Sequence, residues 1–249
     1  MRMPKFFVVS DIHSYYTPLK KALDAKGFDP NNEDHWLVVC GDVFDRGGES
    51  KEVLHFLMSL ERKILVRGNH DILLEECCMR EFAYSYDVSN GTKTTIQDLG
   101  RVDYGTSFAE CCCRTWDRLA RYRELLVNYF ETQNYIFVHS WIPIITQNGG
   151  YCKYDEDWRN ATDDRWEEAM WGNPFDMHML DLNKTGKTIV FGHWHCSAGH
   201  KMLGHCKSEF GEDAIWEPCC AEGIVGIDRC TAYTGEVNVL VIEDDFLEE

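Results

Sequence analysis

No apolar run in the 249-residue sequence reaches 18 residues, so hydropathy offers no membrane-spanning helix. The opening residues, MRMPKFFVVSDIH, turn polar after a short FFVV run and show neither the apolar stretch nor the cleavage site of a secretion signal. The protein is therefore expected in the cytoplasm. Twelve cysteines are present without one C-x-x-C pair, which leaves a structural zinc knuckle little support. Internal repeats and low-complexity linkers are missing too, so one domain over residues 1–249 is the expected organisation. Basic residues are scarce: 25 Lys and Arg face 42 Asp and Glu, for a formal charge of −17. Such a surface repels nucleic-acid backbones and anionic lipid, which argues against nucleic-acid and membrane partners. A phosphorylated substrate stays compatible, because bound divalent cations would reverse the sign locally.

What is present fits an ordinary globular protein, with 44% apolar and 13% aromatic residues. The cysteines fall in adjacent runs (Cys77-Cys78, Cys111-Cys112-Cys113, Cys219-Cys220) or at the end of a core strand (Cys40). They read as reduced, mostly buried thiols rather than a disulfide framework.

The chain is organised around Val38-Val39-Cys40-Gly41-Asp42-Val43-Phe44-Asp45-Arg46-Gly47-Gly48. An apolar strand from Trp36 to Cys40 empties into a loop that offers a hard oxygen ligand in Asp42 and a planar fork of phosphate donors in Arg46. The same grammar recurs. Phe6 to Ser10 ends at Asp11-Ile12-His13, where side chains two apart on extended backbone face one point. Lys63 to Val66 empties into Arg67-Gly68-Asn69-His70-Asp71, Asn134 to Val138 into His139-Ser140, and Lys187 to Phe191 into Gly192-His193-Trp194-His195.

Helices are expected from about Thr17, with Pro18 at its first position and Gly27 near its stop, and from Ser50, as a cap, to about Leu60. Three strand–helix alternations in the first 75 residues predict an α/β core with parallel pairing. Residues 75–130 are rich in charge, tyrosine and cysteine and read as a helical insertion or cap, with helical spacing around Thr115 to Tyr129. Asp155 to Trp171 reads as a helix with loops. Gly223 to Asp228 and Glu236 to Glu243 suit antiparallel strands.

In open α/β sheets ligands bind at the C-terminal strand ends, so Asp11, His13, Asp42, Asn69, His70, His139, His193 and His195 can converge. Carboxylate, amide oxygen and imidazole together suit Mn²⁺, Fe²⁺ or Zn²⁺, and so many donors point to two ions sharing a carboxylate.

The units DIH, GDVFDRG, RGNHD, VHS and GHWH, in that order from Asp11 to about His195, resemble the signature of the calcineurin-like metallophosphoesterases. Asp45 and Arg46 resemble the phosphoprotein-phosphatase branch, which includes Ser/Thr protein phosphatases and bacterial and phage relatives. The resemblance implies two packed mixed β-sheets flanked by helices. It implies a first metal on Asp11, His13 and Asp42, a second on Asp42, Asn69, His139 and His193, and Mn²⁺ as the metal, with Fe or Zn as alternatives. Arg46 and Arg67 would bind phosphate, and His70, kept protonated by Asp45, would be the general acid for in-line attack by metal hydroxide.

Departures from the pattern are Ser14, Ser140 and Asp228-Arg229-Cys230. Ser140-Trp141 is expected to narrow the site or alter water access. A third phosphate arginine has only Arg159 and Arg165 as candidates. His195 resembles a metal-binding histidine of distant phosphodiesterases or else is a surface residue. His35, His55, His178, His200 and His205 read as surface or structural residues. The leading reading is a phosphomonoesterase for phosphoserine or phosphothreonine proteins and small phosphoesters. Ala169-Met170-Trp171-Gly172-Asn173-Pro174 and Phe191-Gly192-His193-Trp194 resemble a symmetrical diadenosine tetraphosphatase, the alternative. A catalytically idle scaffold is the third reading.

Overall fold

The computed structural model describes residues 3–146 and 152–247. Its strands are β1 (Lys5–Val9), β2 (His35–Cys40), β3 (Lys63–Val66), β4 (Leu126–Val127), β5 (Phe130–Glu131), β6 (Tyr135–Phe137), β7 (Ile144–Thr146), β8 (Cys152–Tyr154), β9 (Thr188–His195), β10 (Cys219–Ala221), β11 (Ile224–Asp228) and β12 (Leu240–Glu243). The helices are α1 (Tyr16–Ala25), α2 (Ser50–Ser59), α3 (Asn69–Arg80), α4 (Ser85–Asn90), α5 (Thr92–Gly100), α6 (Phe108–Arg118), α7 (Ala120–Glu124), α8 (Asp163–Met170), α9 (Pro174–Met179), α10 (Cys196–Met202) and α11 (Thr231–Thr234).

Two five-stranded mixed sheets form the centre, in the orders β12-β1-β2-β3-β4 and β10-β11-β9-β6-β5. The β-branched and aromatic strands explain the layering, because alternate side chains point to opposite faces. Phe6, Val8, Val38 and Cys40 of the first sheet pack with Phe137, Val190 and Ile227 of the second. Their neighbours in register, Phe7, Val9, Leu37, Val39 and Leu65, face outward onto α1, α2 and the helices of the 75–130 region. A third cluster, with Ile189 and Phe191, seats Trp166 of α8 and Phe175 of α9 on the outer face of the second sheet. This is the αββα arrangement implied by the family resemblance.

β1, β2 and β3 pair in parallel, as the alternation predicts. Several details differ from expectation. Ser50 is not a cap; its hydroxyl lies 3.0 Å from that of Ser14, while the Glu49 carboxylate accepts from Thr17 N at 2.9 Å. Pro18 stands within the first turn of α1 instead of opening it. The helical spacing around Thr115 to Tyr129 breaks into the end of α6, α7 and the edge strand β4. Of the tail strands, β12 is antiparallel to β1 and β11 is antiparallel to β10, as expected, but β11 is also parallel to β9. That parallel pairing brings the end of β11 to the edge where β9 delivers its histidines. Among the described residues eleven cysteines, all but Cys152, are free thiols, and no helix is long and apolar enough to cross a membrane.

Candidate active site

The C-terminal ends of β1, β2, β3, β6, β9 and β11 meet at one edge, and the backbone there is held in unusual conformations. Asp11, His13, Ser14, Asp42, Asp45, Arg46, His193 and Cys230 all have positive φ, between 48° and 74°. Non-glycine residues adopt this region at a cost of order 1–3 kcal/mol each and keep it only where the surroundings enforce it. Two glycines make the approach possible. A Cβ on Gly68 would lie 2.2 Å from Asp42 Oδ1, and one on Gly192 would lie 2.1 Å from Asp11 Oδ2.

Asp42 is the hub. Its Oδ1 lies 3.4 Å from His139 Nε2 and accepts from His70 N at 3.1 Å; its Oδ2 lies 3.8 Å from His13 Nε2 and 3.9 Å from His70 Nε2. Asn69 Oδ1 is 2.7 Å from His139 Nε2, and Asp11 Oδ2 accepts from His193 N at 2.9 Å. The imidazoles are oriented from behind. His13 Nδ1 donates to Phe44 O at 2.9 Å, His139 Nδ1 to Cys40 O at 3.0 Å, and the His193 ring to the Trp171 carbonyl. The nitrogen facing the cluster is thus left with its lone pair, the usual arrangement behind metal-binding histidines.

Electrostatics point the same way. Burial, then the charge of Asp42, pushes the Asp11 carboxyl up to about 7. Burial opposes ionisation of Asp42, yet His139, His70, His13 and His193 hold it below the usual carboxylate range. Burial drives His13 and His193 down to about 3, so both are neutral donors. Two triads, the buried His13–Asp42–His70 and Asp42–His139–His193 with His193 half-buried, each gather three ligand atoms within 4.8 Å and are composed to hold divalent cations. The donor set therefore fits a pair of ions that share Asp42. In the first triad His70 stands where the sequence reading has Asp11, whose Oδ1 is 3.9 Å from His13 Nε2.

His70 Nδ1 donates to Asp45 Oδ2 at 2.8 Å. Burial disfavours the charged imidazole, but Asp42 and the hydrogen bond to Asp45 outweigh it and raise the His70 pKa. Asp45 is fully buried, positioned by Thr92 Oγ1 (2.5 Å, donating to Oδ2) and by Thr95 Oγ1, which accepts Asp45 N at 3.0 Å. Those threonines lie on α5, so the helical 75–130 region reaches under the site. His70 Nε2 faces Arg46 Nη2 at 3.5 Å across a cavity of about 190 Å³. Leu73, Asn90, Trp171, His195, Asp228 and Cys230 also line it.

Arg67 is not brought there. Its guanidinium pairs with Glu75 at 2.5 Å and lines a neighbouring cleft with Arg123 and Arg159. Arg159 is held by Glu131, and Arg165 by Asp155 and the Ile144 carbonyl, so neither serves as a further cavity arginine. Ser140 does not narrow the site: its hydroxyl donates to Gly172 O at 2.7 Å, and Trp141 is buried against Phe191. His195 lines the cavity with Nδ1 3.3 Å from Glu209 Oε1.

Two of the lining residues, Asp228 and Trp171, stand in the sequence only as a departure from the pattern and within a resembling stretch, not as site candidates. Asp228, raised to about 7 by burial and then by Asp11, pairs in register with His195. Its signal was present, since Ile224–Asp228 is another apolar run ending in a carboxylate. Trp171 is 52% exposed with its ring 6.3 Å from that of His193, and no strand announces it.

The family model for calcineurin-like phosphoesterases matches residues 4–216. The chain is similar to the symmetrical bis(5'-nucleosyl)-tetraphosphatase of Pseudomonas fluorescens (strain SBW25), 32% identical over 142 residues, covering 55% of this chain and 43% of that protein. The protein of the same name from Pseudomonas putida (strain ATCC 700007 / DSM 6899 / JCM 31910 / BCRC 17059 / LMG 24140 / F1) is 42% identical over 139 residues, 55% of this chain and 42% of its own length. The chain thus matches less than half the length of these curated relatives. Among solved structures, a protein serine/threonine phosphatase from Saccharomyces cerevisiae superposes with a TM-score of 0.51 at 15% identity, covering 100% of this chain and 82% of that one. A cold-active protein-tyrosine phosphatase of Shewanella sp. gives 0.51 at 15%, covering 97% and 76%. Both are similar in fold.

Proposed function

The chain belongs to the calcineurin-like phosphoesterase family, and on that footing we propose that it is a metal-dependent hydrolase that cleaves phosphoric anhydrides of dinucleoside polyphosphates. The observation that carries this reading is the make-up of the cavity. Among the described residues Arg46 is the one arginine or lysine in its lining, while Trp171 stands half exposed beside it. A second phosphate-binding arginine, which the phosphomonoesterase reading assigns to Arg67, is committed to Glu75. A cavity of about 190 Å³ is below the roughly 300–1,000 Å³ of ordinary small-molecule pockets. It suits a phosphate group, with a nucleoside outside along the rim, where an aromatic face can stack a base. Two curated relatives carry names of this activity.

Asp11, His13 and Asp42 would hold one ion, with His70 Nε2 close by, and Asp42, Asn69, His139 and His193 the other. When bound, two divalent cations (Mn²⁺ is the first to test) would supply Lewis-acid activation of phosphorus and water. The chain's own residues do the rest. Arg46 forks two phosphate oxygens and stabilises the charge that grows on them. His70 hands its Nε2 proton to the departing oxygen, and Asp45, fixed by Thr92 and Thr95, keeps the Nδ1 proton in place.

A second reading, a phosphomonoesterase acting on phosphoserine or phosphothreonine, is favoured by the buried His70–Asp45 pair at 2.8 Å. An alkoxide leaving group needs that proton more than a nucleotide phosphate does. The test is kcat/KM with Mn²⁺ for diadenosine tetraphosphate and a phosphoserine peptide under identical conditions. Faster turnover of the dinucleotide is expected. A clear preference for the peptide would replace the first reading by the second, and no turnover of either would overturn both.

A further inference from the structure

Far along the chain from the cavity residues of β1 to β3, α10 and β10 bring together three side chains for which the proposed reaction has no use. His200 lies in the last turn of α10, His205 follows five residues on in the loop, and Cys219 opens β10. One ring nitrogen from each histidine and the Cys219 thiol lie within 4.8 Å of one another. We propose that His200, His205 and Cys219 form a structural zinc site that clips residues 203–218 to the second sheet.

The geometry of the pair carries the inference. His200 Nδ1 and His205 Nδ1 face each other at 3.0 Å. Two nitrogens bound tetrahedrally at ~2.0–2.1 Å from one zinc ion stand about 3.3 Å apart, so the rings need only a small adjustment. His200 is fixed from behind as a metal ligand would be: its Nε2 donates to Glu217 O at 3.2 Å, which leaves the Nδ1 lone pair for the cluster. Cys219 is fully buried on its strand, paired with Gly226 of β11, so its sulfur is presented by a rigid element. Two imidazoles and a thiol suit a borderline-soft ion such as zinc rather than the harder ions of an oxygen-rich site. The fourth tetrahedral position is open. Cys206, next to His205, points its Sγ to the carbonyls of Ser197 and Ser208 and would have to rotate to reach it.

What the clip would hold matters for the cavity. Residues 203–218 contain no regular element, and a stretch of that length is uncommon in a compact domain unless it has a task. It carries Glu209 onto His195 Nδ1 and packs Phe210 and Trp216 against the His195 ring, at 5.8 and 6.2 Å between centroids. Joining its two ends through His205 and Cys219 lowers the freedom of the segment that walls His195. The site thus lies apart from the cavity but supports one side of it.

Cobalt(II) distinguishes this site from the cavity ions, because only a thiolate ligand gives the near-ultraviolet sulfur-to-cobalt charge-transfer band, none of the proposed cavity ligands is a thiol, and a band arising from Cys230 in the cavity lining would survive Cys219→Ser. Metal-free full-length protein titrated with cobalt should develop the band, and zinc should abolish it. His205→Ala, at an exposed position, and Cys219→Ser should each lose the band while still binding cobalt in the cavity. The affinity loss should exceed the roughly 10–100-fold that even an outer-shell change costs. Zinc should also slow proteolytic cleavage within 203–218 in the wild type and not in His205→Ala. Absence of the band in the wild type, its survival in either variant, or equal protection of His205→Ala by zinc would overturn the site.

Discussion

Replacing Gly192 by alanine adds one methyl group against the Asp11 carboxylate, and the consequences can be worked from distances. The new Cβ would stand 2.1 Å from Asp11 Oδ2 and 2.6 Å from both Cβ and Oγ of Ser10. The backbone cannot retreat freely, because Gly192 N donates to His139 O at 2.8 Å. The Asp11 carboxylate must therefore swing away, and its hydrogen bond from His193 N goes with it. Overpacking costs about 1–3 kcal/mol, and leaving a buried hydrogen-bonding group unpaired costs a further ~1–3 kcal/mol. At roughly 2–4 °C per kcal/mol for a chain of this size, Tm should fall by roughly 4–24 °C. The metal count should fall by one, since Asp11 serves one ion only in the proposed scheme. Gly68→Ala, whose Cβ would lie 2.2 Å from Asp42 Oδ1, should remove both ions, because Asp42 faces both. Gly48→Ala is the control, with nothing within 4 Å of its Cβ, and should keep both ions and the wild-type Tm. The assay is elemental analysis after loading with Mn²⁺, beside thermal unfolding of each variant. Two retained ions and an unchanged Tm in Gly192→Ala, or a full metal count in Gly68→Ala, would refute the assignment of the two carboxylates.

His70→Asn should lose ~10²–10⁴-fold in kcat/KM on a phosphoserine peptide and distinctly less on p-nitrophenyl phosphate, whose leaving group departs without a proton; equal losses would make His70 a binding residue. Trp171→Ala should raise KM for diadenosine tetraphosphate by ~5–150-fold, the equivalent of about 1–3 kcal/mol of base stacking, and leave p-nitrophenyl phosphate nearly untouched. An unchanged KM for the dinucleotide would remove Trp171 from substrate binding. Arg46→Ala should cost ~10²–10³-fold on every substrate, whereas Arg67→Ala should stay within a few-fold because its guanidinium is tied to Glu75 outside the cavity. A collapse of activity in Arg67→Ala would return it to the phosphate site.

The donors of the cavity were legible because three features coincide in the sequence: an apolar run, an abrupt end and ligand-type side chains at the next positions. Asp11, Asp42, Asn69, His139 and His193 all obey that pattern, and the parallel sheet brings their strand ends together. Asp228 obeys it too, but β11 is antiparallel to β10 and parallel to β9, and the local pattern does not say which neighbour sets the edge at which its end emerges. Arg67 was legible as a residue but not as a direction: Glu75, in the middle of α3 and eight residues on, competes for its guanidinium. Trp171 follows α8 and reaches the cavity only through the packing of α8 and α9 on the second sheet, which local pattern does not encode. The His200, His205 and Cys219 group follows no zinc spacing, since a helix end, a loop and a strand supply its members.

The bond between Asp11 and His193 joins residues 182 positions apart in the chain. Closing so long a loop costs ~4–5 kcal/mol of chain entropy before any contact across it is rewarded. A growing chain that has reached His139 carries Asp11, His13, Asp42 and Asn69 but neither β9 nor β12, which β1 needs at its edge. If these donors hold the proposed pair of ions, binding can complete only after both sheets have docked, and it then favours the docked state by RT ln(1 + [L]/Kd), about 2.7 kcal/mol at a hundredfold excess over Kd. Metal shortage would therefore lower the yield of folded protein as well as the rate per molecule. Refolding yield measured against Mn²⁺ concentration would separate the two, since an ion used for chemistry alone leaves that yield flat.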